Sequence, residues 1–216
     1  MTSKGEGRRG CRGTPPCTPF HTLDIYPKLP VDPTRGEGSY IIDSKGRRYI
    51  DFITGLGVNI LGYSHPLLEK AKISLPGIFH TGNLFPNRLR EEVARTIARK
   101  TQTDKVFFLN SGAEAIEASL RFAWRKTKTN RVIAFRGSFH GRTTSPYTLS
   151  DLFSSHPFVR ANWDVAFLDW GREDQLTKAL REQSIVVIEP VQGSGGVRVA
   201  KRGFYKKLQS LVEKTG

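Results

Sequence analysis

The stretch "FFLNSGAEAIEASLRFAWRK", residues 107–126, decides the fold. Three apolar residues run into Asn110-Ser111-Gly112-Ala113, and an amphipathic helix begins at once, with Ile116, Leu120 and Trp124 along one side. "KVFFLN", residues 105–110, reads as a short buried-type strand, so the small polar residues stand at a strand–turn–helix junction. A helix start leaves its first N–H groups without intrahelical partners and carries roughly half a positive charge. Asn110 or Ser111 can cap it. Gly112 and Ala113 go further than a cap needs, because they remove side-chain bulk where an anionic group, a phosphate above all, would approach the backbone. Neither a Walker loop nor the Gly-x-Gly-x-x-Gly dinucleotide pattern is present at this junction. On the opposite side of the helix, Glu117 and Arg121 are spaced for an i, i+4 pair.

Working outward, apolar runs and helices alternate. "RVIAF" (131–135), "DVAFL" (164–168) and "SIVVIEP" (184–190) read as strands, with helices at about 172–182 and 203–214 accompanying the last two. This alternation predicts an α/β domain with a largely parallel sheet. Upstream, "GSYIIDSKGRRYIDF" (38–52) is a pair of β-rich runs around Asp43-Ser44-Lys45-Gly46, a hairpin. His65-Pro66 opens a helix running to about Leu75, stopped by Pro76-Gly77. Leu89, Val93 and Ile97 then mark one face of a further helix. The predicted organisation is a disordered basic Gly/Pro-rich tail over 1–24, an N-terminal segment with hairpin and helix over 25–75, and a partial large domain over 76–216.

At 216 residues the chain can bury a core. The 34 Lys and Arg against 20 Asp and Glu leave a formal charge of +14, which favours anionic partners. The basic residues are scattered and form no RNA-binding or zinc-finger signature, so nucleic acid is not expected as a partner. No apolar run reaches membrane-spanning length. Cys11 and Cys17 both fall in "GEGRRGCRGTPPCTPF" (5–20) and cannot staple the body of the protein, which points to a reducing compartment. Cytoplasm is expected, with the mitochondrial matrix as the alternative that the opening segment leaves open.

Two more stretches narrow the ligand. "AFRGSFHGRTT" (134–144) follows a strand and sets Phe139, His140 and Arg142 among glycines. A ring, an imidazole and a guanidinium beyond a strand end suit a planar aromatic ligand and a carboxylate, while core packing for Phe139 and a surface charge for Arg142 are the plain alternatives. "VVIEPVQGSGG" (186–196) puts Glu189 at the end of an apolar strand, where its carboxylate needs a partner.

In this order and spacing, "RGEGSYIIDSKGRRYIDF", "GLGVNILGYSHP", "HTGNLF", "NSGAEAIEASLRFAWRK", "GSFHGRT" and "IEPVQGSGGV" resemble the class III, pyridoxal-phosphate-dependent aminotransferases of fold type I, nearest the acetylornithine and ornithine branch. The resemblance implies pyridoxal 5'-phosphate as cofactor. Ser111, Gly112 and Ala113 would hold its phosphate, Phe139 would stack on its ring with His140 alongside, Arg142 would bind a substrate carboxylate, and Glu189 would line the site. It implies amino-group exchange between an ω-amino acid and a 2-oxo acid such as 2-oxoglutarate, in arginine-related metabolism, by a homodimer. No metal site is implied. The family's Schiff-base lysine and its pyridine-nitrogen aspartate come after the segment matched here, so no catalytic residue is assigned. The chain is expected to be inactive alone, as the N-terminal half of an enzyme; the competing expectation is a non-catalytic partner of a full-length relative. Ser194 stands where the family has a glutamate.

Overall fold

The computed structural model describes residues 26–73, 77, 80–82, 84–153, 162–180 and 183–215. The tail over 1–24, both cysteines, Pro76 and Gly216 lie outside the described residues. Those described fall into two compact units divided between Asn87 and Arg88.

The first unit holds a three-stranded antiparallel sheet, β1 (Pro33–Glu37), β2 (Tyr40–Asp43) and β3 (Arg48–Ile50), in that order. β2 and β3 form the expected hairpin, with Gly46 at φ +76° in the turn. Asp43 organises that turn from a buried position. Its carboxylate accepts from Lys45 N–H, Arg47 N–H, Arg47 Nε at 2.7 Å and Tyr49 Oη at 3.1 Å. Burial alone would raise its pKa, but the bonds from Arg47, Tyr49 and Lys45 outweigh it and hold it at about 2. A left-handed turn, α1 (Thr54–Gly57), and the helix α2 (Pro66–Ile73) follow.

The second unit carries the α/β architecture. Its helices are α3 (Arg88–Thr101), α4 (Gly112–Thr127), α5 (Thr144–Thr148), α6 (Glu173–Ala179) and α7 (Arg202–Thr215), with a 3-10 turn at Asp151–Phe153. The strands β4 (Arg131–Phe135), β5 (Asp164–Leu168) and β6 (Ile185–Val186) form a parallel sheet in the order β5-β4-β6. After Arg131, "RVIAF" is apolar because the central strand is covered on both faces. Ile133 and Phe135 point to one face and pack with Leu168, Leu176, Leu180, Phe204 and Leu208, beneath α6 and α7. Val132 and Ala134 point to the other and pack with Leu120 of α4, Leu149 and Ile185. Each such buried aliphatic or aromatic side chain contributes about 1.5–3 kcal/mol.

Several sequence expectations are corrected. Residues 105–109 pair with no strand among the described residues, and Phe107 is 61% exposed; apolar composition cannot form a strand without a ladder partner. Of the α4 stripe, Leu120 is buried and Ile116 packs beside it, whereas Trp124 is 47% exposed under the Lys128 ammonium. Glu117 does not pair with Arg121. It turns to the start of α5, where it accepts from Ser145 Oγ at 2.6 Å and Ser145 N–H at 3.2 Å, because a buried hydroxyl and an orphan helix amide need it more than a solvated guanidinium does. The Leu89, Val93 and Ile97 face of α3 is present but partly exposed.

Candidate functional site

Ser111 is the N-cap of α4, with extended backbone at φ −147°, ψ 160°. Its Oγ accepts from Glu114 N–H at 3.2 Å, and Glu114 reaches back so that its carboxylate accepts from Asn110 N–H at 2.9 Å. This is a variant of the capping box, in which Glu114 reaches the amide one residue before the N-cap instead of that of Ser111 itself. It leaves the N–H groups of Gly112 and Ala113 with no partner among the described residues. A Cβ built on Gly112 would meet nothing within 4 Å, so open space adjoins the two free donors. The helix of sixteen residues adds its dipole to them.

The loop after β4 meets this helix start. A Cβ on Gly141 (φ +132°) would lie 2.7 Å from Ala113 Cβ, an approach only glycine permits. The loop is pinned from several directions. Asp151 Oδ2 accepts from Gly137 N–H at 2.9 Å, Ser138 Oγ donates to Leu149 O, and Ser150 Oγ accepts from His140 N–H at 2.8 Å. Glu189, beyond the end of β6, accepts from Phe139 N–H at 3.2 Å. Burial raises the Glu189 pKa, and the Phe139 N–H works against that rise.

Of the residues singled out from sequence, Phe139 is half-buried, with the exposed Arg142 guanidinium 5.8 Å from its ring centroid. His140 is 7% exposed and its Nε2 has no hydrogen-bond partner. Burial holds its pKa down at about 4, so the imidazole is neutral. Phe139 and Glu189 are brought together directly through the backbone amide, and Ala113 and Gly141 by packing. Ser194 is exposed. Sequence reasoning missed Glu114, Ser150, Asp151, Gln192 and Arg198. Glu114 was legible as the fourth residue of a Ser-x-x-Glu box; Gln192 stood out only as a long polar side chain among glycines. No lysine belongs to the cluster. Among the described residues, no group of three or more His, Cys, Asp or Glu is placed to hold a metal, and no helix is long and apolar enough to cross a membrane.

A capped helix start with open donors thus meets a glycine-pinned loop at the end of a parallel strand. The chain belongs to the class III aminotransferase family, whose model, aminotransferase class-III, matches residues 24–216. It is 35% identical over 201 residues to the acetylornithine aminotransferase of Methanopyrus kandleri, covering 90% of this chain and 51% of that one. Against the acetylornithine aminotransferase of Bacillus anthracis it is 37% identical over 208 residues, covering 91% and 52%. The ornithine aminotransferase of Toxoplasma gondii shares its fold with a TM-score of 0.77 and 26% identity, over 90% of this chain and 48% of that one. That structure has pyridoxal phosphate at partial occupancy in its active site. The chain thus spans about half the length of the curated relatives it matches.

Class III aminotransferases depend on pyridoxal phosphate. The residues present fit its phosphate: two free amides, no Cβ at position 112, and open space before them.

Proposed function

We propose that this chain forms the phosphate-holding and ring-orienting part of an acetylornithine/ornithine-type aminotransferase, acting on an ω-amino acid and a 2-oxo acid. The observation that carries the reading is the pair of unpartnered N–H groups of Gly112 and Ala113, with Gly141 packed against Ala113. Ser111, Gly112 and Ala113 hold the phosphate. Phe139 lies against the ring, with the neutral His140 behind it as a partner that adds no charge. Arg142, at the exposed end of the same loop, receives a substrate carboxylate. Glu189 fixes the Phe139 backbone and lines the site. When bound, the cofactor supplies the electron sink for amino-group exchange. The chain's own residues bind and orient, and none of its lysines is assigned to proton transfer. Acetylornithine or ornithine with 2-oxoglutarate is the first substrate pair to try, and a homodimer the expected assembly.

The test compares pyridoxal 5'-phosphate with pyridoxal by equilibrium binding. A helix-start phosphate site predicts that the phosphorylated form binds at least about tenfold tighter, and that Gly112→Asp removes the difference by placing a carboxylate at the two free donors. Equal affinity for the two compounds would remove the phosphate from the α4 start.

A further inference from the structure

The geometry points to Gln192 and Arg198 as positioning residues that lock the loop after β6 onto the loop after β4, and so hold Glu189 beneath the Phe139 backbone. Gln192 is fully buried, unusual for a long polar side chain, and every polar atom of its amide group is used. Its Nε2 donates to Arg136 O at 3.0 Å, and its Oε1 accepts from Arg198 Nη2 at 2.6 Å. Arg198 Nη2 also donates to Arg136 O at 3.0 Å, so that carbonyl receives two donors from the second loop. The same two residues exchange backbone bonds, Gln192 N–H to Arg198 O at 3.0 Å and Arg198 N–H to Gln192 O at 3.2 Å, which closes residues 192–198 into a rigid ring.

Arg136 is where the strand ends and the site loop begins. Its N–H donates to Leu168 O of β5 at 2.8 Å, while its carbonyl takes the Gln192 and Arg198 donors. One residue thereby ties the ends of β4 and β5 to the loop that follows β6. Glycines make the approach possible: a Cβ on Gly195 would lie 2.5 Å from Gly137 O, and one on Gly137 would meet Arg198 Nη2. Three residues beyond Arg136, Phe139 N–H reaches Glu189, itself three residues before Gln192. The clamp and the Glu189–Phe139 bond are thus two ends of one interface between the loops. That this register matters for cofactor binding rests on the function proposed above.

Hydrogen exchange on the 216-residue chain, read by mass spectrometry over residues 131–142, tests the clamp alongside equilibrium binding of pyridoxal 5'-phosphate. Gln192→Leu removes both side-chain bonds and is expected to speed exchange at residues 137–140 by about tenfold or more, with the amides of β4 unchanged. Arg198→Lys keeps a cationic donor in reach of Gln192 Oε1 and Arg136 O, and is expected to stay within about threefold of wild type. Arg198→Met, at an exposed position, repeats the Gln192→Leu result where the buried variant does not fold. Cofactor affinity should fall with Gln192→Leu and Arg198→Met and be kept by Arg198→Lys. Unchanged exchange in Gln192→Leu and Arg198→Met, or Arg198→Lys as damaging as Arg198→Met, overturns the clamp. Faster exchange in a chain that binds no cofactor supports the clamp and overturns the cofactor reading.

Discussion

Ser150→Ala is the substitution whose cost the structure sets most directly. Ser150 is fully buried. Its Oγ accepts from His140 N–H at 2.8 Å and donates to Pro146 O at 2.8 Å, so one hydroxyl joins the site loop to α5. Alanine fits the space and removes both bonds. The His140 amide is then buried without a partner, a cost of about 1–3 kcal/mol, with up to about 1 kcal/mol more for the lost bond to Pro146. A total near 2 kcal/mol lowers the midpoint of thermal unfolding by about 4–8 °C for a chain of this size. All three tryptophans, Trp124, Trp163 and Trp170, lie in the second unit, so intrinsic fluorescence during denaturation follows that unit. Ser194→Ala, at an exposed position, is the control and should stay within about 0.5 kcal/mol of wild type. A Ser150→Ala chain as stable as the control would show that the loop is not held by this hydroxyl.

Phe204 is fully buried with ring centroids of Phe135, Tyr205 and Trp170 at 5.7, 5.6 and 5.4 Å, so Phe204→Ala should cost about 3–5 kcal/mol in the same denaturation assay. Acid should act on the two units in different windows. His140, held near 4 against an ordinary value of 6.5, binds its proton more readily unfolded; the second unit loses stability as pH falls from about 6.5 towards 4, and His140→Phe flattens that part of the fluorescence profile. Asp43, held near 2 against 3.8, stabilises the first unit fully above about pH 4, and that contribution is lost as pH falls towards 2; Asp43→Asn removes the dependence from the exchange rates of the hairpin amides.

The parts of the fold legible in sequence were those fixed by local rules. The turn at 43–46, the start of α4 at Gly112 and the apolar run 132–135 of β4 each follow from residue type within a few positions. What failed depended on distant partners. "KVFFLN" has strand composition, yet pairing needs a neighbour that the sequence does not locate. Glu117 looked like half of a helix ion pair, while Ser145, twenty-eight residues away, took its carboxylate. The candidate site divides in the same way. Ser111 and Gly112 could be found from capping physics, whereas the link from Glu189 to Phe139 spans fifty residues and only the sheet order β5-β4-β6 brings the two loops side by side. Gln192 was hidden because a buried glutamine has the same letter as an exposed one.

The central claim is that the α4 start receives a phosphate through two backbone amides. The measurement that tests it most directly is a titration of the 15N-labelled chain with pyridoxal 5'-phosphate, followed at the amide resonances of residues 110–115. The account predicts that Gly112 and Ala113 move furthest and saturate together, while Glu114, already bonded to Ser111 Oγ, moves less. Resonances of Gly112 and Ala113 that stay in place while others shift on cofactor binding would contradict it.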